Sequence, residues 1–386
     1  MGKIVVIINK VMPYFQVTKF ILYTSILDFA VWAHFWSLKK AAGCGRRYFK
    51  VIAAIFSVQH AVSMNRDQTA TLAPIRKANQ NPIQLSPPIL QSKSQNIKED
   101  HTLSNMPIVF AHYSNSNYLK FSLSQAKHSN PESTIYLIGD EQNDCYDFVE
   151  HQFFSDYFQG ANDFSRIYRH FNTTPYIHEL FCFQRWFVLH EFLVNNNIEK
   201  CLYLDSDTML FSDVTEEQKK FEQFDFTLSY KTSGCTFFLN RVEALAEFCQ
   251  FLIDIYSKKE RYYYDRMLAQ RATFKKNGMA GGACDMTAFD LYSYDHFGEI
   301  GEVAQIINGS VFDPSINVQH PGFEMEDGIK KIIWKGCEPY GIHLKTSKKI
   351  KFNSLQFQGE TKHLIGRYYT GTPIKSIHSN LYGKLA

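Results

Sequence analysis

From residue 107 onwards the chain alternates short apolar runs with longer helical ones, and two of the apolar runs end in an acid. "PIVFAHY" (107–113) predicts a strand, "NYLKFSLSQAKHS" (117–129) a helix, and "STIYLIGD" (133–140) a second strand ending in Asp140. "YIHELFCFQRWFVLHEFL" (176–193) is long, aromatic and free of Gly and Pro, which predicts a buried helix; "KCLYLD" (200–205) is the next strand. Strands alternating with helices imply parallel β-α-β units, so the expected fold class is α/β, a mostly parallel sheet flanked by helices. In such sheets ligands collect at the carboxyl ends of strands. Asp140 and Asp205 both fall there.

Composition sets the boundaries. The chain has 386 residues, 45% hydrophobic and 20% charged, which is a globular balance with room for a large core. A net charge of +3 gives no global field to recruit nucleic acid. Residues 1–60 hold eight Lys/Arg against one acid, Asp28, and include the 17-residue apolar run 20–36 with Asp28 inside it. That run falls short of the roughly 20 uncharged residues of a spanning helix. No small-residue cleavage site follows it closely, so it is a poor signal peptide. It reads either as a basic amphipathic segment on an anionic membrane face or as a loosely folded extension. Residues 65–105 are rich in Pro, Gln, Asn and Ser, the composition of a linker. The expected organisation is an extension (1–64), a linker (65–105), one folded domain (106–369) and a tail (370–386). The eight cysteines show no C-x-x-C or zinc spacing, which favours reduced, core-filling thiols in the cytoplasm.

The sharpest chemical signal is "CLYLDSDTML" (201–210), where Asp205 and Asp207 follow an apolar strand. Two carboxylates two residues apart can share one hard cation, and Mg or Mn prefers oxygen ligands. Such an ion leaves positions free for a nucleotide's phosphates and stabilises charge on a departing diphosphate. D-x-D triplets also arise by chance in solvated loops, but the apolar flanks "CLYL" and "TMLF" argue against that origin here.

With its context, "RWFVLHEFLVNNNIEKCLYLDSDTMLF" resembles the D-x-D region of nucleotide-sugar glycosyltransferases of the GT-A fold, particularly the family 8 group of glycogenin and lipopolysaccharide galactosyltransferases. The resemblance covers roughly 105–366 and implies a metal-dependent transfer of sugar, from a UDP-sugar in that group, to a glycan, lipid-linked or protein acceptor. It implies that Arg185, twenty residues before Asp205, contacts the donor's sugar or phosphates; the bare residue reads equally as a surface arginine. By the same match His112, Tyr113, Asn117 and Tyr118 contact base and ribose, and an aromatic ring such as Tyr118 can stack on a base. "TSGCTFFLN" (232–240) places Ser233 and Gly234 near the sugar, glycine allowing close backbone approach, although an ordinary turn reads equally well. "GGACDMTAFDLY" (281–292) presents Asp285 toward the sugar or acceptor, or simply as a helix N-cap.

The last motif departs from the family. In "LQFQGETKHLI" (355–365), Gly359 and Lys362 match a His-x-x-Gly-x-x-Lys pattern in which the His ligates the metal and the Lys binds diphosphate, but Gln356 stands at the His position. A glutamine amide oxygen can ligate Mg or Mn, and His343 and His363 are substitutes if the loop folds differently. Two other readings stay open. A catalytically impaired sugar-nucleotide binder or scaffold follows from Gln356. A haloacid-dehalogenase-like phosphatase also uses D-x-D after a strand, but wants Thr or Val where this chain has Met209.

Overall fold

The computed structural model describes residues 105–371. The expected extension, nearly all of the linker and all but the first two residues of the tail lie outside the described residues.

The alternation produces the expected elements, each strand two or three residues shorter than its apolar run. Strands β1 (Ile108–Ala111), β2 (Ile135–Gly139), β3 (Glu150–Phe153) and β4 (Cys201–Leu204) are interleaved with helices α1 (Leu119–Ser129), α2 (Gln159–Ile167) and α3 (Tyr176–Asn195). The chain continues through β5 (Thr208–Leu210), α4 (Val214–Gln218), β6 (Phe226–Leu228), β7 (Thr236–Leu239), α5 (Val242–Tyr256), α6 (Arg261–Lys276), α7 (Asp285–Asp295) and β8 (Ile300–Glu302). It ends in β9 (Ser310–Asp313), β10 (Met325–Glu326), β11 (Ile329–Lys330), β12 (Ile333–Lys335), β13 (Glu338–His343) and β14 (Lys348–Gln356), then a 3-10 segment, Gly359–Tyr368.

Seven strands form the central sheet in the order β3-β2-β1-β4-β7-β6-β8. β3, β2, β1 and β4 run parallel, β7 is antiparallel to both its neighbours, and β8 pairs β6 in parallel. The sheet is parallel-rich, as expected. Side chains alternate across it as a two-sided strand requires. Val109, Ala111, Cys201 and Tyr203 face a core shared with α2, α3, α5 and α7. Ile108, Phe110, Leu202 and Leu204 face the opposite core, with Leu119, Leu123 and Ala126 of α1. The aromatics of "YIHELFCFQRWFVLHEFL" supply Phe183, Trp186, Phe187 and Phe192 to the first core, so α3 is buried because most of its circumference is apolar.

A second sheet, not foreseen from the sequence, runs β12-β13-β14-β5, with β9 parallel to β14. The D-x-D motif is where the chain leaves one sheet for the other. β4 ends at Leu204, Thr208 N donates to Asp205 O at 2.9 Å to close a turn, and β5 begins at Thr208. β5 then pairs antiparallel with the end of β14, Thr208 opposite Gln356. That ladder brings a segment about 150 residues distant to the two aspartates. Among the described residues no helix is long and apolar enough to cross a membrane.

Candidate functional site

The site lies past the carboxyl ends of β1 and β4, neighbours in the sheet whose connections leave in different directions. In open α/β sheets ligands bind at such a point, and the strand-end loops there can carry chemistry.

Arg185 organises its first half. One turn of α3 sets Trp186 in the core and turns Arg185 toward β4, where Nη1 meets Asp205 Oδ1 at 2.6 Å and Nη2 meets Asp285 Oδ2 at 2.8 Å. The guanidinium lies 4.6 Å from the Trp186 ring centre and 5.8 Å from that of Tyr203. The Arg185 side chain is 14% exposed, so these are desolvated pairs rather than surface ones. Asp285 is fully engaged: Oδ2 also accepts from Trp186 Nε1 at 3.2 Å, and Oδ1 accepts from Met286 N at 2.9 Å. The N-cap reading of Asp285 is corrected, because Cys284 caps α7 and Asp285 is the first helical residue. Its geometry holds Arg185 in place. Burial raises the Asp205 carboxyl to about 6 against the pull of Arg185, with Asp207 and Asp285 adding like charge.

The second half is supplied by the returning strand. Asp207 is buried, its Oδ2 meets Lys362 Nζ at 3.1 Å, and its backbone oxygen accepts from Phe357 N at 2.9 Å. Asp207 Oδ1 is buried with no hydrogen-bond partner. Gln356 is buried at the end of β14, and its Nε2 lies 3.5 Å from Asp205 Oδ2, a long and weak contact. The Lys362 side chain is 40% exposed, and its Nζ sits 5.3 Å from the centre of the Tyr118 ring. Burial pulls the Lys362 ammonium down, but Asp207 and Tyr118 together hold it above its ordinary value.

His112 joins the first loop to the motif. Its Nδ1 pairs with the hydroxyl of Ser206, the middle residue of D-x-D, at 2.9 Å, and its Nε2 with Ser116 Oγ at 3.0 Å. Burial and then the Lys362 charge push the imidazole down to about 4, against Asp140, so the ring is neutral at physiological pH. Asp140 folds the loop itself, accepting from Ser114 N at 2.8 Å and Gln142 N at 3.0 Å.

Asp205, Asp207, Arg185, Asp285, Gln356, Lys362, Tyr118 and His112 therefore belong to one connected cluster. The remaining candidates stand apart from it. Tyr113 stacks on Phe154 at 4.2 Å and meets Phe181 edge-on at 4.7 Å. Asn117 is exposed. Ser233 pairs with Ser229 across the β6–β7 turn. Gly234 packs against Trp186: a Cβ there would fall 2.3 Å from its Cη2. Gly359 takes φ +60° at the start of the 3-10 segment, a left-handed conformation glycine adopts without strain. His343 is no substitute for Gln356. It pairs with Lys348 at the opposite end of β14, eight residues or about 26 Å of strand from Gln356, and it bonds Thr346 and Pro321. His363 is exposed and bonds its own loop at Glu360 O. Met209 is buried in β5 opposite Leu355, so neither Thr nor Val stands at the position a dehalogenase-type phosphatase uses.

Sequence reasoning missed Glu179 and the left-handed pair within the β6–β7 turn. Glu179 is buried one and a half turns before Arg185 on α3, and its Oε1 has no hydrogen-bond partner. Burial and then Asp285 raise its carboxyl to about 7, against Thr174 and Arg185. Six residues place it about 120° around α3 from Arg185, so helical periodicity gave no signal for it. In the turn, Tyr230 and Lys231 take φ +58° and +59°, values that usually select Asn-Gly. Nothing in "SYKTS" announces it.

The donor set suits a hard divalent cation. The cluster holds three carboxylates (Asp205, Asp207, Asp285) against two cations (Arg185, Lys362), a net −1 that would repel a diphosphate. A divalent ion would reverse the sign, Asp207 Oδ1 is an unsatisfied buried oxygen, and the Gln356 amide lies near Asp205 Oδ2. Among the described residues no group of three or more His, Cys, Asp or Glu is arranged to hold a metal, so any such ion would rely on the Gln356 amide as its third protein ligand.

No family model matches the chain, and no curated protein does. Among solved structures it is similar to the glycosyltransferase GlyE of Streptococcus pneumoniae TIGR4, at 13% identity and a TM-score of 0.27, over 53% of this chain and 46% of that one. It is also similar to the bifunctional glycosyltransferase WbbM in its apo form, at 13% identity and a TM-score of 0.37, over 72% of this chain and 51% of that one. The chain spans about half the length of each. With TM-scores under 0.5, any functional reading stands on the residues of the site.

Proposed function

We propose that this chain is a glycosyltransferase of the GT-A, family-8-like type that moves a sugar from a nucleoside-diphosphate sugar, UDP-linked in the resembling group, to an acceptor hydroxyl. The observation that carries the reading is Asp205 and Asp207 at the end of β4, each paired with a cation from a different element. Asp205, Asp207 and Gln356, its amide turned to present oxygen, would hold Mg or Mn, which when bound supplies charge neutralisation at the leaving diphosphate.

The chain's own residues divide the remaining work by mobility. Lys362 is half exposed and tied only to Asp207 and the Tyr118 ring, so it can transfer its charge to a phosphate. Arg185 is held by two carboxylates and two rings, so it fixes Asp205 in orientation and keeps it ionised. The bond from the anomeric carbon to the phosphate oxygen breaks and the acceptor oxygen replaces it, releasing a proton. With both Asp285 oxygens engaged, that residue serves position more than proton transfer. His112, neutral and bridged to Ser206, ties the first loop to the motif.

The test is release of nucleoside diphosphate by the full chain from a panel of UDP-sugars, with Mn, Mg or EDTA. Turnover that needs the divalent ion and disappears in Asp207→Ala is expected; unchanged turnover in that variant defeats the reading. A second reading, a sugar-nucleotide binder without turnover, is favoured by Gln356 at the His position. Calorimetric binding of UDP with Mn, in the absence of any release, would select it.

A further inference from the structure

A cavity of about 300 Å³ opens on the second sheet, lined in part by Asp327, Lys331, Trp334, Arg367 and Tyr368. That is the lower end of the ~300–1,000 Å³ range of small-molecule pockets. Trp334 is 39% exposed, and its ring lies 6.2 Å from that of Tyr368. Both rings are backed by the core: Phe211 meets Trp334 edge-on at 5.7 Å, and Phe357 packs on Tyr368 at 5.0 Å. Such rings are held in position rather than free to fold away.

The polar lining is of two kinds. Lys331 is occupied by Glu324 at 3.3 Å and Glu326 at 3.5 Å, and Lys330 is buried against Asp313. The side chains of Arg367 and Asp327 make no hydrogen bond or ion pair among the described residues. Asp327 is fixed by a tight turn, φ +50°, followed by Gly328 at +83°, between β10 and β11. The charges lining the cavity cancel once Lys330 is assigned to Asp313: Glu326 and Asp327 against Lys331 and Arg367. A charged ligand gains nothing there. The fitting ligand is uncharged, with an apolar face to lie on a ring and hydroxyls to meet a guanidinium fork and a carboxylate. A pyranose has that form, since its C–H bonds suit the negative face of an indole and vicinal hydroxyls suit bidentate partners.

We propose that this cavity binds a neutral saccharide, stacked on Trp334 and hydrogen-bonded by Arg367 and Asp327, at a place separate from the D-x-D crevice. The inference does not depend on the transferase reading, although such a site would suit a glycan acceptor.

The test is saturation-transfer NMR on the full chain with maltoheptaose, cellohexaose and chitohexaose, and with inorganic phosphate as a charged comparison. At least one oligosaccharide should give transfer, and phosphate should not compete with it. The titrated dissociation constant should rise about fivefold in Trp334→Ala, the scale of one aromatic contact, and in Arg367→Ala, and should be unchanged in Asp207→Asn. No transfer from any of the three, unchanged transfer in Arg367→Ala, or loss confined to Asp207→Asn would overturn it. The Arg367 variant decides the matter if Trp334→Ala does not fold. Oligosaccharide binding without donor turnover would leave this site standing while the transferase reading fails.

Discussion

The two aspartates of D-x-D are separated by one residue but live in different surroundings. Asp205 is paired with an arginine 14% exposed, itself held by Asp285, Trp186 and Tyr203. Asp207 is paired with a lysine 40% exposed, carried on a 3-10 segment that arrives from the far end of the chain. The first wall is built into the main core, and the second is delivered by the β5–β14 ladder. A site of this kind has a fixed side that sets geometry and a yielding side that can exchange partners with an incoming anion. The difference teaches that equal spacing in sequence does not give equal roles.

Removing the fixed wall should cost most. Arg185→Ala leaves Asp205 and Asp285 buried without their cation, a loss of about 3–5 kcal/mol, which calorimetry should show as a fall in Tm on the order of 10 °C. A change of only a degree or two would mean that this wall is not the rigid one.

Glu179 tests the same wall by titration. Its carboxyl stands at about 7 in the folded chain against an ordinary 4.5. The folded state therefore holds a proton that the unfolded chain releases, and the associated stability is present below about 4.5 and lost as pH rises to about 7. By linkage the loss amounts to at most roughly 3 kcal/mol. Denaturation across pH 4 to 8 should show wild type declining relative to Glu179→Gln over that window; parallel curves would remove Glu179 from the cluster.

Gly234→Ala probes the packing behind Arg185. The added Cβ meets Trp186, whose ring is already fixed by Tyr203, Phe237 and Phe289 at 5.0–5.3 Å between centres. Overpacking of about 1–3 kcal/mol is expected, read as a shift in urea midpoint. A neutral result would show that the Trp186 ring yields.

The yielding wall should respond in the opposite sense. Lys362→Ala should change stability by less than ~1 kcal/mol, because its ion pair is partly solvated. It should weaken binding of UDP with Mn by roughly tenfold, as loss of one charge-assisted contact implies. Large destabilisation with unchanged UDP affinity would reverse the comparison.

The parallel half of the sheet was legible because β1, β2, β4 and α3 are dense apolar segments whose period and length leave little choice. The second sheet was not. Strands β14 and β12 carry segments such as "KKIKFN" and "IWK" that mix charge with apolar residues, and the pairing of β14 with β5 spans about 150 residues. Arg185 was read through a resemblance as a donor contact, whereas its pairing with Asp205 was not foreseen and Glu179 was passed over as one more acid on a helix. The Trp186 ring that packs on Gly234 comes from forty-eight residues earlier in the chain, a contact that local spacing does not show.

By itself the sequence determined that two carboxylates stand at the carboxyl end of a buried strand, because an apolar run followed by acids has no other stable placement beside a core. Which cation meets which carboxylate, that Asp285 is saturated, and that Gln356 rather than His343 reaches the motif were decided only by the tertiary structure. The reason is physical: ion pairs and amide contacts act over about 3 Å, and contacts that short between residues 100 to 150 positions apart are fixed by how sheets register and helices pack, not by local spacing.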